Sequence, residues 1–387
     1  MKAIKNAKII TMDKRRRVIE NGYVKWNNKG FITKVAEGEC DESDAFDAKG
    51  LTLYPGFIDA HTHLGLTTNG VGEESDDFNE ESDPCTPHMH IIDGINPMDE
   101  SFEEAVKAGI TACAVSPGSA NAVAGDIAFL HTVGRRIDKM LIRNVGMKFA
   151  LGENPKMTYM NKEQTPYTRL AIAAVIREAL FKAKRYMQDK QKASEQGDDE
   201  PEIDIKSEAL IPLLKGQIKA HFHCHRADDI FTAIRIAKEF DLDYLLIHCT
   251  DGHLIADELR EENACAVVGP LLNDKCKPEL ANFTPKNAGV LDKAGVSVSV
   301  CTDHSETPIQ YLPLTAVIAV KNGLSRQAAL EAITINPAKA LGVDDIAGSI
   351  EKGKLADMSL FEGDPLDIYQ SPEMVVVSGE QKFIKEH

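Results

Sequence analysis

Short apolar runs alternate with amphipathic stretches along most of the chain, and the two ends differ from the middle. Up to residue 56 the runs are brief and rich in β-branched and aromatic residues. They are Ala7-Lys8-Ile9-Ile10-Thr11, Tyr23-Val24-Lys25-Trp26, Phe31-Ile32-Thr33-Lys34-Val35 and Leu51-Thr52-Leu53-Tyr54. Turn residues such as Asn28-Lys29-Gly30 separate them, so the pattern predicts strands. It returns after residue 350 in Met358-Ser359-Leu360-Phe361 and Met374-Val375-Val376-Val377. Chain ends commonly lie close together, so 1–56 and 350–387 are expected to share one small β-sandwich domain.

The middle, 57–349, alternates apolar strands with helical patterns. Strands are predicted at Phe57-Ile58-Asp59-Ala60, at 111–115, 143–151, 218–224, 244–247, 266–268 and 296–301, and helices near 102–108, 169–191 and 230–240. Such alternation predicts an α/β fold, a (β/α)8 TIM-like barrel whose active residues sit at the C-terminal ends of the strands. A doubly wound sheet is the alternative, but no glycine-rich phosphate-binding turn follows the early strands. Two segments read as insertions. Residues 68–98 are acidic and proline-bearing, with Glu73-Glu74-Ser75-Asp76-Asp77, and loops of that length usually serve function or are disordered. Residues 188–207 are charged and read as a solvated surface excursion.

Composition narrows the function. The formal net charge of −16 argues against a nucleic-acid partner, which needs a basic stripe, and against an anionic membrane surface. No run approaches the ~18 apolar residues of a membrane span. The start, Met1-Lys2-Ala3-Ile4-Lys5, lacks the apolar core of a secretory signal. Eight scattered cysteines form no Cys-x-x-Cys pair, and Cys113, Cys249 and Cys301 fall in apolar runs, which suits buried thiols in a reducing cytoplasmic compartment. A small-molecule substrate is expected, and a homo-oligomer is compatible with the sequence.

Several predicted strands end on residues that bind metals. In Pro55-Gly56-Phe57-Ile58-Asp59-Ala60-His61-Thr62-His63, strand geometry turns His61 and His63 to the same side, where both can hold one ion. Met147-Lys148-Phe149-Ala150-Leu151-Gly152-Glu153 offers two bridging candidates. Glu153 is preferred because the Gly152 turn sets it at the strand end, and Lys148, which carbamylation would convert to a carboxylate, competes. In His221-Phe222-His223-Cys224-His225-Arg226, His223 is the preferred ligand over His221, with His225 and Arg226 at the mouth facing substrate. Leu245-Leu246-Ile247-His248 adds a ligand, and His253 is assigned a supporting role. Val300-Cys301-Thr302-Asp303-His304 adds Asp303 as ligand and general base, with His304 as a substrate contact. His88 and His90 read as surface or lid residues, and His131 as structural on a helical stretch.

This order (His-x-His, carboxylate, histidine, histidine, aspartate) resembles the amidohydrolase superfamily. The 55–63 element resembles that family's first barrel strand. Asn336-Pro337-Ala338-Lys339-Ala340-Leu341-Gly342 resembles its last barrel helix, and 348–357 the return into its small sheet domain. Within the superfamily the chain is most similar to the imidazolonepropionase-related branch, and Gly152-Glu153 also resembles the metal glutamate of sugar-amide deacetylases. The resemblance implies one or two divalent ions, zinc foremost, and hydrolysis of a C–N bond in a small amide, dipeptide or cyclic amide. Superfamily deaminases often carry a glutamate three residues after the fifth-strand histidine. Counted from His223, that position holds Arg226, which suits a substrate carboxylate better. A deaminase and a non-catalytic scaffold are the two alternatives.

Overall fold

The computed structural model describes residues 2–67 and 73–386, so the first five residues of the expected 68–98 insertion lie outside it. The N-terminal segment supplies β1 (Ala3–Ile10), β2 (Val18–Trp26), β3 (Ile32–Glu37), the short β4 (Phe46–Asp47) and β5 (Thr52–Pro55). The barrel follows with β6 (Phe57–Thr62), β7 (Ile110–Val115), β8 (Val123–His131), β9 (Leu141–Ala150), β10 (Lys219–Cys224), β11 (Tyr244–His248), β12 (Cys265–Val268) and β13 (Ser297–Val300). The chain then returns as β14 (Met358–Phe361), β15 (Met374–Val377) and β16 (Glu380–Ile384).

Strands from both ends share one eight-stranded sheet in which β14 pairs antiparallel with β5, Leu360 opposite Leu53. By hydrogen bonding it is a single sheet. Its core is Ile4, Ile9, Val24, Trp26, Leu53 and Met358, the apolar positions of the short terminal runs.

The second sheet, β6 to β13 in chain order, is the barrel wall. Seven of its eight strands were legible as largely apolar runs because barrel strands are buried on both faces. Strand β8 was not. It begins among alanine and glycine and runs antiparallel to both β7 and β9, so the β7–β8–β9 passage is a meander inside an otherwise parallel wall. His131 therefore ends a strand, where its Nε2 lies 3.1 Å from Asp357 Oδ2, and is not on a helix. Of the predicted surface excursion, residues up to 196 continue the long helix Arg169–Gln196. All eight cysteines are unpaired. No helix among the described residues is long and apolar enough to cross a membrane.

Two features position the site. Asp59, fully buried in β6, accepts hydrogen bonds from the His61 N–H (3.2 Å) and the Thr302 N–H (3.1 Å), tying the first barrel strand to the end of the last. Burial raises its carboxyl to about 7 against these donors. Residues 73–98 fold back over the strand ends. Asn79 Oδ1 accepts the Ala120 N–H at 3.0 Å, Asp126 Oδ1 accepts the Ile91 N–H at 2.7 Å, and the Phe78 ring lies 5.4 Å from that of His63.

Candidate metal centre

Six side chains from four strand ends form two adjacent groups. His61, His63 and Asp303 make one, and His223, His225 and His248 the other; all six are buried. The His61 and His248 rings, 5.6 Å apart and edge-on, link them.

In the first group His61 Nε2 and His63 Nε2 lie 3.2 and 3.3 Å from Asp303 Oδ1. His63 Nδ1 is 2.7 Å from the Ser116 carbonyl; since a carbonyl only accepts, Nδ1 carries the proton and Nε2 keeps its lone pair. In the second group His248 Nδ1 donates to the Gly269 carbonyl at 2.7 Å by the same logic. His223 Nδ1 meets Ser119 Oγ at 2.8 Å and His225 Nδ1 meets Thr250 Oγ1 at 2.7 Å. The ε nitrogens of His61, His223 and His225, and Asp303 Oδ1, are buried without a hydrogen-bond partner. Unpaired buried polar atoms are rare and costly, and a converging set of them is what a metal ion satisfies. Such a donor set of imidazoles and a carboxylate fits a divalent ion of the zinc type.

Electrostatics agree. Burial pushes His61, His223 and His225 well below the ordinary imidazole value, so the rings are neutral. Lys148, fully buried in β9, is pushed down to about 8 by burial, and its Nζ has no hydrogen-bond partner. The backbone is strained where ligands leave their strands. His248 (φ 69°), Cys249 (φ 47°) and Asp303 (φ 53°) all occupy left-handed conformations that β-branched or bulky residues avoid.

The groups open into a cavity of about 560 Å³ walled by Phe78, Asn154, Lys162, Lys277, Leu280 and Thr284. Three residues expected at the site lie outside the two groups and the cavity lining. Glu153 joins neither group: it opens the helix Glu153–Asn161, and its carboxylate accepts the Glu279 N–H at 3.1 Å. Arg226 does not line the cavity, because the chain turns at the end of β10 and Arg226 precedes the next helix, forking onto Asp228 with two 2.9 Å bonds. His304 is buried beside the site with Nδ1 accepting the Ile309 N–H at 3.2 Å, and it does not line the cavity. His225, expected at the mouth, is instead drawn into the second group, while His221 lies deeper with both ring nitrogens unpartnered. His253 Nδ1 contacts the Thr250 carbonyl at 3.1 Å, and His90 pairs with Asp126 at 2.9 Å. Sequence reading missed Ser119, Thr250, Lys277 and Glu279, none of which sits at a strand end.

Residues 52–384 match the sequence profile of the amidohydrolase family. The chain belongs to that family. Its members are hydrolases, and the barrel with an added sheet is their fold. A solved amidohydrolase from Thermotoga maritima MSB8 is 38% identical, with a TM-score of 0.94 over 99% of this chain and 100% of that one. Amidohydrolase tasK of Hapsidospora irregularis is 29% identical over 92% of this chain, which spans only 39% of that longer protein. An imidazolonepropionase of Geobacillus thermodenitrificans is 26% identical over 89% of this chain and 84% of its own length.

Proposed function

We propose that this member of the family is a metal-dependent hydrolase that cuts a C–N bond of a small amide, dipeptide or cyclic amide. The observation that carries the reading is the convergence of buried, unpartnered Nε2 atoms and Asp303 Oδ1 on the floor of the cavity. His61, His63 and Asp303 would hold one divalent ion, zinc foremost, and His223, His225 and His248 a second. Such an ion, when bound, polarises a carbonyl and acidifies water. Lys148 enters as the residue between the groups, since carbamylation of its buried amine would supply the bridging carboxylate first assigned to Glu153. The Asp303 carboxylate would take a proton from water and return it to the leaving nitrogen. Arg226 lies outside the cavity lining, so a carboxylate-bearing substrate would meet Lys277 and Lys162 at the cavity wall. The cavity's size suits a small molecule, and the reading keeps the cytoplasmic location expected from the thiols.

The test is a screen of N-acyl amino acids, dipeptides and cyclic amides with and without a chelator, on wild type, His61→Ala and Asp303→Asn. Expected is chelator-sensitive hydrolysis that both variants lose while retaining wild-type circular dichroism. Wild-type turnover by either variant would sink the assignment, and ammonia release from aminopurines alone would move it to a deaminase.

A further inference from the structure

Glu279 lies outside every strand, in the short turn Pro278–Leu280 that follows β12. A loop glutamate is ordinarily solvated, yet this side chain is only 1% exposed. One oxygen is accounted for. Oε2 accepts the Glu153 N–H at 2.9 Å, and the Glu153 carboxylate returns the bond to the Glu279 N–H, a reciprocal clamp between two loops. Gly152 permits the approach: it sits at φ +87°, and a Cβ there would stand 2.8 Å from Glu279 Oε2.

The other oxygen, besides its pairing with Lys277 on the same loop, points at the histidines. Oε1 faces His225 Nε2 at 3.6 Å and His223 Nε2 at 3.8 Å, two ring nitrogens with no hydrogen-bond partner. Lys277 Nζ lies 2.7 Å from it as an ion pair and donates to Asn154 Oδ1 at 2.9 Å. Orientation of the histidines does not require the carboxylate. His225 is already held by Thr250 and His223 by Ser119, and 3.6 Å is too long for a hydrogen bond. Donors that share one ion at about 2.0–2.2 Å stand roughly 3.4 Å apart, close to the spacings found.

We propose that Glu279 is a further protein donor to the His223–His225–His248 group, so that this ion has a carboxylate of its own from the loop after β12, beside any bridge from Lys148. The proposal rests on the metal reading of the site. It also explains the clamp: Glu153, which sequence placed among the ligands, acts one step back by anchoring the loop that carries the ligand.

The experiment titrates the demetallated full chain with Co²⁺, following ligand-field absorption, and counts zinc by elemental analysis after reconstitution. Wild type, Glu279→Gln and Asp303→Asn are compared. The glutamine oxygen can still accept the Glu153 N–H, so the loop keeps its anchor, and circular dichroism verifies the fold. Expected for Glu279→Gln is an affinity at least ten-fold weaker for one ion, with an altered visible spectrum, and retention of the ion that Asp303→Asn loses. Wild-type stoichiometry, affinity and spectrum in Glu279→Gln would overturn the proposal. So would weaker binding with an unchanged spectrum, which would make Glu279 a positioning residue. A wild-type chain that takes up no ion overturns the metal reading itself, a result distinct from either.

Discussion

At the scale of single residues, what matters is which atom of each side chain is left free. The imidazoles of His63 and His248 give Nδ1 to backbone carbonyls, which leaves Nε2 as the only available lone pair. His225 and Arg226 are neighbours with opposite fates, and sequence spacing alone could not separate them. His225 turns inward onto Thr250, whereas Arg226 finds a carboxylate two residues on and stays outside the cavity. We therefore expect His225→Ala to lose at least ten-fold in the affinity of one divalent ion, measured by chelator competition, while Arg226→Ala changes neither metal content nor turnover by more than about two-fold. Strand-end histidines were legible because each follows an apolar run that fixes where the strand stops. Glu279, Ser119 and Thr250 were not, because they arrive on irregular segments whose paths are set by tertiary contacts.

At the scale of elements, the strands must leave room for what they carry. Gly146 of β9 faces the buried His221 of β10, and a Cβ there would lie 2.6 Å from two atoms of that ring. Gly146→Ala should destabilise the protein by about 1–3 kcal/mol in a denaturant titration, since a fully buried ring has nowhere to move. Helix Ile205–Leu214 gives a milder case. Asp204 caps it, accepting the Lys206 and Ser207 N–H groups at 3.2 and 3.4 Å. A hydrogen bond from Lys182, at 2.8 Å, holds the carboxyl below its usual range. Because the folded pKa is depressed, the stabilisation is present above the unfolded value of about 4 and is lost as pH falls through the lower folded value. Asp204→Ala should cost about 1 kcal/mol at neutral pH, with the gap in Tm closing in acid. The antiparallel β8 escaped detection because Gly125 and Asp126 interrupt its apolar run, and its small residues carry little strand preference.

At the scale of the whole molecule, the terminal sheet and the barrel are joined through a shared aromatic contact. Phe361 of β14 packs its ring 5.8 Å from both Tyr54 of β5 and Phe57 of β6, so one side chain bridges strands from each end of the chain and the first barrel strand. Phe361→Ala should cost about 3–5 kcal/mol, read as a lower midpoint in thermal unfolding. The pairing of the two ends was legible because both carry the same short β-rich runs. Which strand pairs with which was not, because pairing partners far apart in sequence leave no local signal. The same distance effect separates fold from chemistry. The barrel follows from periodicity, but the site is assembled from residues between 61 and 303 that meet only when the barrel closes.

The central claim is that this assembly binds divalent metal, and elemental analysis of the purified full chain beside His61→Ala tests it most directly. One or two equivalents of a divalent ion in the wild type, falling by about one equivalent in the folded variant, is the predicted result. A wild-type chain that stays metal-free after incubation with zinc would contradict it.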